Sequence, residues 1–447
     1  MQHLKVNQSI LKIIGLIGEY DKKNIKSTIQ GFLSSGYRED CYPIEKNENQ
    51  INEDKKTTKF IKDFYYPDFR RLMFLKDESK ITQINHRFVK DCSIKISIAY
   101  KEKENNYIPI EIIQSEVFLF HEQVSLFSIS VKVDLEEVTL GDVNNLMSVI
   151  RNFDTTVKGE SAWHEFISKH FLCNLPLRGD HVKVDEYSGS KFKLYSAIDC
   201  DPLESPKSNL LFDLATTSPL GSGSGSGNFA PSEDYYNHLM QNKVSIFNNW
   251  EALCLNDGFC CFGTDLLWSN QELNKNKYAT WDYTYFRIYL FRLFLKYNIY
   301  KYNQDIQDSD NLVKLRDKFE NFLQTYNISH ISYNFLPNEL YHKIGIGLDI
   351  EAELTTFRER INNISQKIEE KQQAKTNLLL QVVAGLSGLS SLSPIIDFLS
   401  HLQTVLGWSN IVFYTTVTFT ALLLLILVIY FLYPEKLIKW LRLKKTK

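Results

Sequence analysis

A chain of 447 residues that is 44% apolar, 13% aromatic and 23% charged has the composition of ordered protein, which excludes long disorder and collagen-like repeats. Lys and Arg number 51 against 53 Asp and Glu, a net charge of -2, so the bulk balance does not describe a nucleic-acid-binding protein, and no direct nucleic-acid partner is expected. Charge is unevenly placed, however: residues 434–447 carry +5 and the rest of the chain -7.

Residues 1–12 alternate polar and apolar side chains and lack the apolar core of a cleavable leader. Acidic residues around 47–55 mark a polar loop. Residues 92–100, 108–113, 116–120 and 124–133 are β-branched or alternating runs separated by polar turns, which predicts a meander of strands. Helices are expected over 140–153 and 161–170. Further strands follow at 192–198, 209–214 and 244–255, and Asn256-Asp257-Gly258 turns the last of these into a strand over 259–262. The seven cysteines include no CxxC and no zinc spacing, and the vicinal pair Cys260-Cys261 lies in an apolar run, so buried reduced thiols are expected.

Residues 221–227 read Gly-Ser-Gly-Ser-Gly-Ser-Gly. Between an apolar run and a helix start at Pro231-Ser-Glu-Asp234, Gly221, Gly223, Gly225 and Gly227 could cradle the phosphate or adenosyl part of a ligand with backbone N–H groups. The spacing matches neither GxxxxGK[ST] nor GxGxxG, and a flexible linker is the alternative. No GxSxG, HExxH or kinase set is present, so the chain is not read as an enzyme, although a site assembled only in three dimensions would escape a linear reading.

An aromatic helix is expected at 278–297 and another helix at 310–326. Ile350, Leu354, Phe357, Ile361, Ile364 and Ile368 are then spaced 4, 3, 4, 3, 4, a heptad seam that points to a stalk helix, packed on its own domain or self-associating. Lys371 and Lys375 occupy the next seam positions, where helices splay or a basic ring gates a pore. Residues 378–399 hold one charge, Asp397, among many small and polar residues, and residues 411–433 hold none. Both are read as membrane spans, with the intervening loop outside and both termini cytoplasmic. On a helical wheel Asn377, Gln381, Ala384, Gly388 and Ser391 share one face, which lines a pore or packs against the second span; Asp397 falls at its outer end.

The expected organisation is therefore α+β: a sensor domain over 1–277, a helical part over 278–345, a stalk over 346–377, a two-helix transmembrane hairpin over 378–433 and a basic tail over 434–447. This layout resembles the CorA-like two-span divalent cation transporters, over residues 280–447, although the Gly-Met-Asn signature of that family is absent. Divergent CorA-like proteins also act as membrane effectors of type III CRISPR antiviral defence. The resemblance implies a homo-oligomer, a pentamer, in the bacterial inner membrane. It implies an ion channel gated by a nucleotide second messenger, the S-adenosylmethionine-AMP adduct (SAM-AMP). The alternatives are a constitutive Mg2+ transporter, with Mg2+ as the permeant ion, and a membrane-tethered enzyme.

Overall fold

The computed structural model describes residues 3–17, 25–40, 42–43, 61–76, 86–100, 106–120, 124–160, 162–173, 175, 177–178, 191–202, 207–225, 230–270, 275–308, 312–390, 392–407, 409–419 and 422. The chain divides into two compact units, Met1–Arg358 and Glu359–Lys447.

The first unit is an α+β layer structure built on a ten-stranded sheet. Its strands are β1 (Val6–Ile17), β2 (Arg38–Glu39), β3 (His86–Ala99), β4 (Tyr107–Leu119), β5 (Ser125–Val133), β6 (Leu177–Arg178), β7 (Lys193–Cys200), β8 (Val244–Phe247), β9 (Trp250–Leu255) and β10 (Gly258–Gly263). They lie in the order β8-β9-β10-β7-β1-β5-β4-β3-β2, with β6 also on β1. Every pairing is antiparallel except β10 with β7. The meander expected from the sequence is β3-β4-β5, and residues 108–113 and 116–120 form one strand that bulges between Ile112 and Gln114. The bulge is the polar break that reads as a turn in the sequence.

Because side chains alternate across a strand, each strand serves two cores. One face carries Leu11 and Ile13 of β1, Phe127, Ile129 and Val131 of β5, and Cys260 and Phe262 of β10. It is covered by α1 (Ile25–Ser34), α3 (Leu140–Ile150), α4 (Trp163–Phe171) and α5 (Lys207–Thr216); α2 (Pro67–Met73) lies elsewhere. Helix α3 starts at a full capping box, in which the Thr139 side chain accepts from the Asp142 N–H and Asp142 accepts in return. Such a cap contributes about 1 kcal/mol. Residues 209–214, expected as a strand, belong to α5: Leu210, Leu211 and Leu214 are buried on one helical side. A short continuous apolar run does not distinguish the two structures, and packing decides.

After α6 (Glu233–Met240), which opens on the Ser232 cap, the opposite sheet face is covered by α7 (Phe286–Asp308). Phe286 meets Tyr195 at 5.2 Å between ring centroids and Phe294 stacks on Phe120 at 4.1 Å, so the aromatic helix is core. Helices α8 (Leu312–Tyr326) and α9 (Phe335–Gly347) follow, and α10 (Ile350–Ser390) runs for 41 residues. The first heptad positions, Ile350, Leu354 and Phe357, are each 1% exposed. Phe357 lies 3.7 Å from Phe319 of α8, and the seam begins as packing against the domain itself.

The expected transmembrane hairpin is corrected. Among the described residues no helix is long and apolar enough to cross a membrane. Residues 378–399 are not one helix: α10 ends at Ser390 and α11 (Leu392–Leu406) begins after it. The apolar segment is divided between the two: α10 enters it from the polar stretch before Leu378 and ends at Ser390, and α11 is only 15 residues long. The second expected span, 411–433, lies largely outside the described residues, as does the tail over 434–447. The α+β part of the expected fold is present. The two-span part, the membrane and transmembrane reading and the multi-pass inner-membrane localisation have no support among the described residues.

Candidate functional site

A cleft of about 620 Å³ opens where three helices end. Ala215 and Thr216 close α5, Leu239, Gln241 and Asn242 close α6, and Ile346 and Gly347 close α9. The β9–β10 turn, Cys254 to Asp257, forms the floor, and Asp349 stands at the rim immediately before α10. The volume lies within the range of small-molecule sites.

Each wall has a physical reason for its position. Gly347 has no Cβ because one would stand 2.2 Å from the Cys254 carbonyl oxygen, so α9 rests directly on the β9 backbone. The end of α6 is stitched to α9 in both directions. Lys343 Nζ donates to the Gln241 carbonyl at 3.2 Å, and Asn242 Nδ2 donates to the Lys343 carbonyl at 3.2 Å. Arg151, buried behind the cleft, donates to Asp257 Oδ2 at 2.6 Å and to Thr217 Oγ1 at 2.6 Å. Asp257 loses hydration by burial, yet the guanidinium of Arg151 more than offsets this and holds its carboxyl below the usual range. The Cys254 thiol is pushed well up by burial, which removes it as a nucleophile. Tyr235 and His238, both exposed, also line the cleft.

The chain reverses between α9 and α10 through Leu348 and Asp349, and Asp349 has a φ of 55°. That left-handed conformation is tolerated by aspartate better than by most residues. A wall of the cleft is thus the connection that leads into the 41-residue helix.

Gly221, Gly223 and Gly225 of the glycine run are not among the cleft walls and are used internally. Gly221 N and Gly223 N donate to the two oxygens of Asp213 at 2.7 and 2.6 Å. Gly221 and Gly225 adopt left-handed φ of 101° and 82°. Of the N–H groups available to a phosphate on sequence grounds, those of Gly221 and Gly223 hold a carboxylate of the same chain, that of Gly225 donates to the Ser222 carbonyl, and Gly227 lies outside the described residues. Burial raises the Asp213 carboxyl above its ordinary value in spite of those two bonds.

The other residues singled out from the sequence lie on α10 and α11. Lys371, Lys375, Asn377 and Ala384 are exposed, Gln381 is half-buried, Gly388 is within α10, and Asp397 is exposed on α11; Ser391 lies outside the described residues. None of them lines the cleft. Among the described residues no group of three or more His, Cys, Asp or Glu is placed to hold a metal ion. Cys260 and Cys261 are buried in β10, where burial drives both thiols up, Cys260 to about 12.

One buried group escaped the sequence reading. Lys12, 1% exposed in the middle of β1, lies 3.0 Å from Asp282 and 3.8 Å from Glu116. Arg87 pairs with Glu116 and Asp40, and Arg287 lies 3.9 Å from Asp40. Three cations thus meet three carboxylates under α7. Burial alone would raise the Glu116 carboxyl, but Arg87, Lys12 and Arg287 hold it down to about 2. Asp282 is delivered by a π-helical turn, Thr280–Tyr285, whose Trp281 and Thr284 carbonyls accept from the Tyr195 and Tyr65 hydroxyls at 2.7 and 2.9 Å. Tyr283 in that turn stands against both guanidinium groups, 5.0 Å from Arg87 and 4.8 Å from Arg287. The only sequence signal was a lysine inside the apolar run Ile10 to Ile14.

No protein-family model, curated protein or solved structure matches the chain.

Proposed function

We propose that this protein is a ligand-responsive regulator: a nucleotide-sized small molecule enters the cleft, and the α9–α10 hinge converts its binding into a change at the long helix. The observation that carries the reading is that Gly347 and Asp349, which flank the reversal into α10, are themselves cleft walls. A ligand touching both the β9–β10 turn and this reversal has different contacts when the hinge moves, and that difference in affinity is what a shift of conformational population requires. The messenger-binding part of the expectation drawn from the sequence is kept and its site moves from the glycine run to the cleft. The ion-pore part rested on membrane spans and is not carried forward.

The response reaches residues beyond the cleft through the continuity of α10. Leu378, Leu379, Leu380 and Val383 on that helix are more than half exposed, and self-association of the chain through this apolar stretch is the output that fits. The test is calorimetric titration of the full chain with SAM-AMP, ATP and S-adenosylmethionine, with light scattering before and after. Saturable binding that Ile346→Trp abolishes by filling the cleft, together with a change in assembly size, supports the reading. Binding unaffected by Ile346→Trp would refute it.

A further inference from the structure

We infer that the guanidinium of Arg292, held between α7 and α9, is a binding site for the phosphate or carboxylate group of a small anionic ligand. Arg292 is not a wall of the cleft, so the inference stands apart from what the cleft takes.

Buried cations of this chain are matched by carboxylates. Lys12 has Asp282, Arg87 has Glu116 and Asp40, Arg287 has Asp40, and Arg151 has Asp257. Arg292 is only 7% exposed and breaks the pattern, because no carboxylate among the described residues stands at ion-pair distance from it. Its Nε donates to the Tyr341 carbonyl at 2.9 Å, and its guanidinium lies 3.4 Å from the centroid of the Tyr341 ring. Nη1 and Nη2 have no hydrogen-bond partner among the described residues, and both keep some solvent contact. A charge that has lost most of its hydration without gaining a counter-ion works against the fold. Burial accordingly pushes the proton affinity of the guanidinium down, and the Tyr341 hydroxyl and the Glu351 carboxylate, the latter beyond ion-pair distance, offset this only in part.

The backbone of α9 leaves room for this side chain. Gly345 follows Tyr341 by one helical turn, and a Cβ there would stand 2.9 Å from Nη2 and 3.0 Å from Cζ. Glycine therefore lets the guanidinium rest directly against the helix. With Nε fixed on Tyr341, the parallel N–H groups of the two terminal nitrogens are the ones left to grip two oxygens of a phosphate or carboxylate. Lys296, four residues along α7, and Lys343, two residues before Gly345, add positive charge to the same two helices, while Glu351 in the first turn of α10 opposes it.

The experiment follows the melting temperature of the full chain in rising sodium phosphate and sodium acetate, each against sodium chloride at equal ionic strength. Wild type, Arg292→Met and Gly345→Ala are compared. Methionine removes the charge and keeps apolar bulk, so in chloride Arg292→Met should melt at or above the wild type. Gly345→Ala meets the end of a flexible side chain, so it shifts the guanidinium at little cost to the fold. The wild type should show a saturable rise with phosphate or acetate beyond that in chloride, absent in Arg292→Met and needing roughly tenfold more anion in Gly345→Ala. Which salt acts identifies the anion. A rise shared equally by wild type and Arg292→Met is general salt stabilisation and overturns the site, as does a wild type that responds no more than in chloride. Should Arg292→Met fail to fold, Gly345→Ala decides: a weakened anion response supports the site, and an unchanged one overturns it.

Discussion

Gly347 packs against Cys254 with no room for a side chain: a Cβ on Gly347 would stand 2.2 Å from the Cys254 carbonyl oxygen and 2.8 Å from its Cβ. The contact joins the last turn of α9 to the floor of the cleft. Gly347→Ala must push α9 away from β9, and overpacking of this kind costs about 1–3 kcal/mol. Thermal unfolding should show that loss, and calorimetry should show weaker ligand binding than the stability loss alone explains.

The buried ionic group under α7 predicts a second variant. Glu116→Gln leaves Arg87 and Lys12 without their shared carboxylate, and breaking a buried pair in this way costs about 3–5 kcal/mol. Urea unfolding measures it directly. Lys132→Gln, which removes the half-exposed partner of Glu111 at 2.8 Å, should leave the midpoint unchanged.

Two carboxyls give stability opposite dependences on pH. Glu116 is held down to about 2 in the folded chain, so its contribution is present above the ordinary carboxylate value and is lost as pH falls from there to about 2. Asp213 is raised by burial, so the folded state binds its proton more readily, and stability falls as pH rises from the ordinary value through the raised one. Glu116→Gln should therefore flatten the acid limb of a stability profile. Asp213→Asn should remove the decline above it.

Phe357 anchors the start of the long helix against Phe319 and Tyr302. Phe357→Ala should cost about 3–5 kcal/mol by the cavity it leaves. Limited proteolysis should then cut within the first turns of α10, which the wild type protects.

The sequence shows the elements whose pattern is local. The strands of the meander, the Asn256-Asp257 turn and the Ser232 helix start are legible because period-two alternation, turn residues and caps are fixed by near neighbours. The heptad seam is legible as a helix, but its partner is not: Ile350, Leu354 and Phe357 bury against the chain's own domain, and spacing alone does not say which surface fills a seam. The transmembrane hairpin failed among the described residues because counting charges does not show where a helix ends: the uncharged run is divided between α10 and the 15-residue α11. The cleft was invisible because its walls come from residues 215–216, 235–242, 254–257 and 343–349, brought together by the crossover from β7 to β10 and by the packing of α9 on β9. The glycine run was legible as a loop, but the carboxylate that fills it comes from Asp213, eight residues before the first glycine that it binds.

Hydrogen exchange of the full chain, with and without saturating S-adenosylmethionine, reads the coupling of the cleft to α10. Coupling should slow exchange at the β9–β10 turn and at the α9–α10 reversal together, with a change that continues into the first turns of α10. Protection confined to the turn, with exchange at residues 343–353 unaltered by bound ligand, would contradict it.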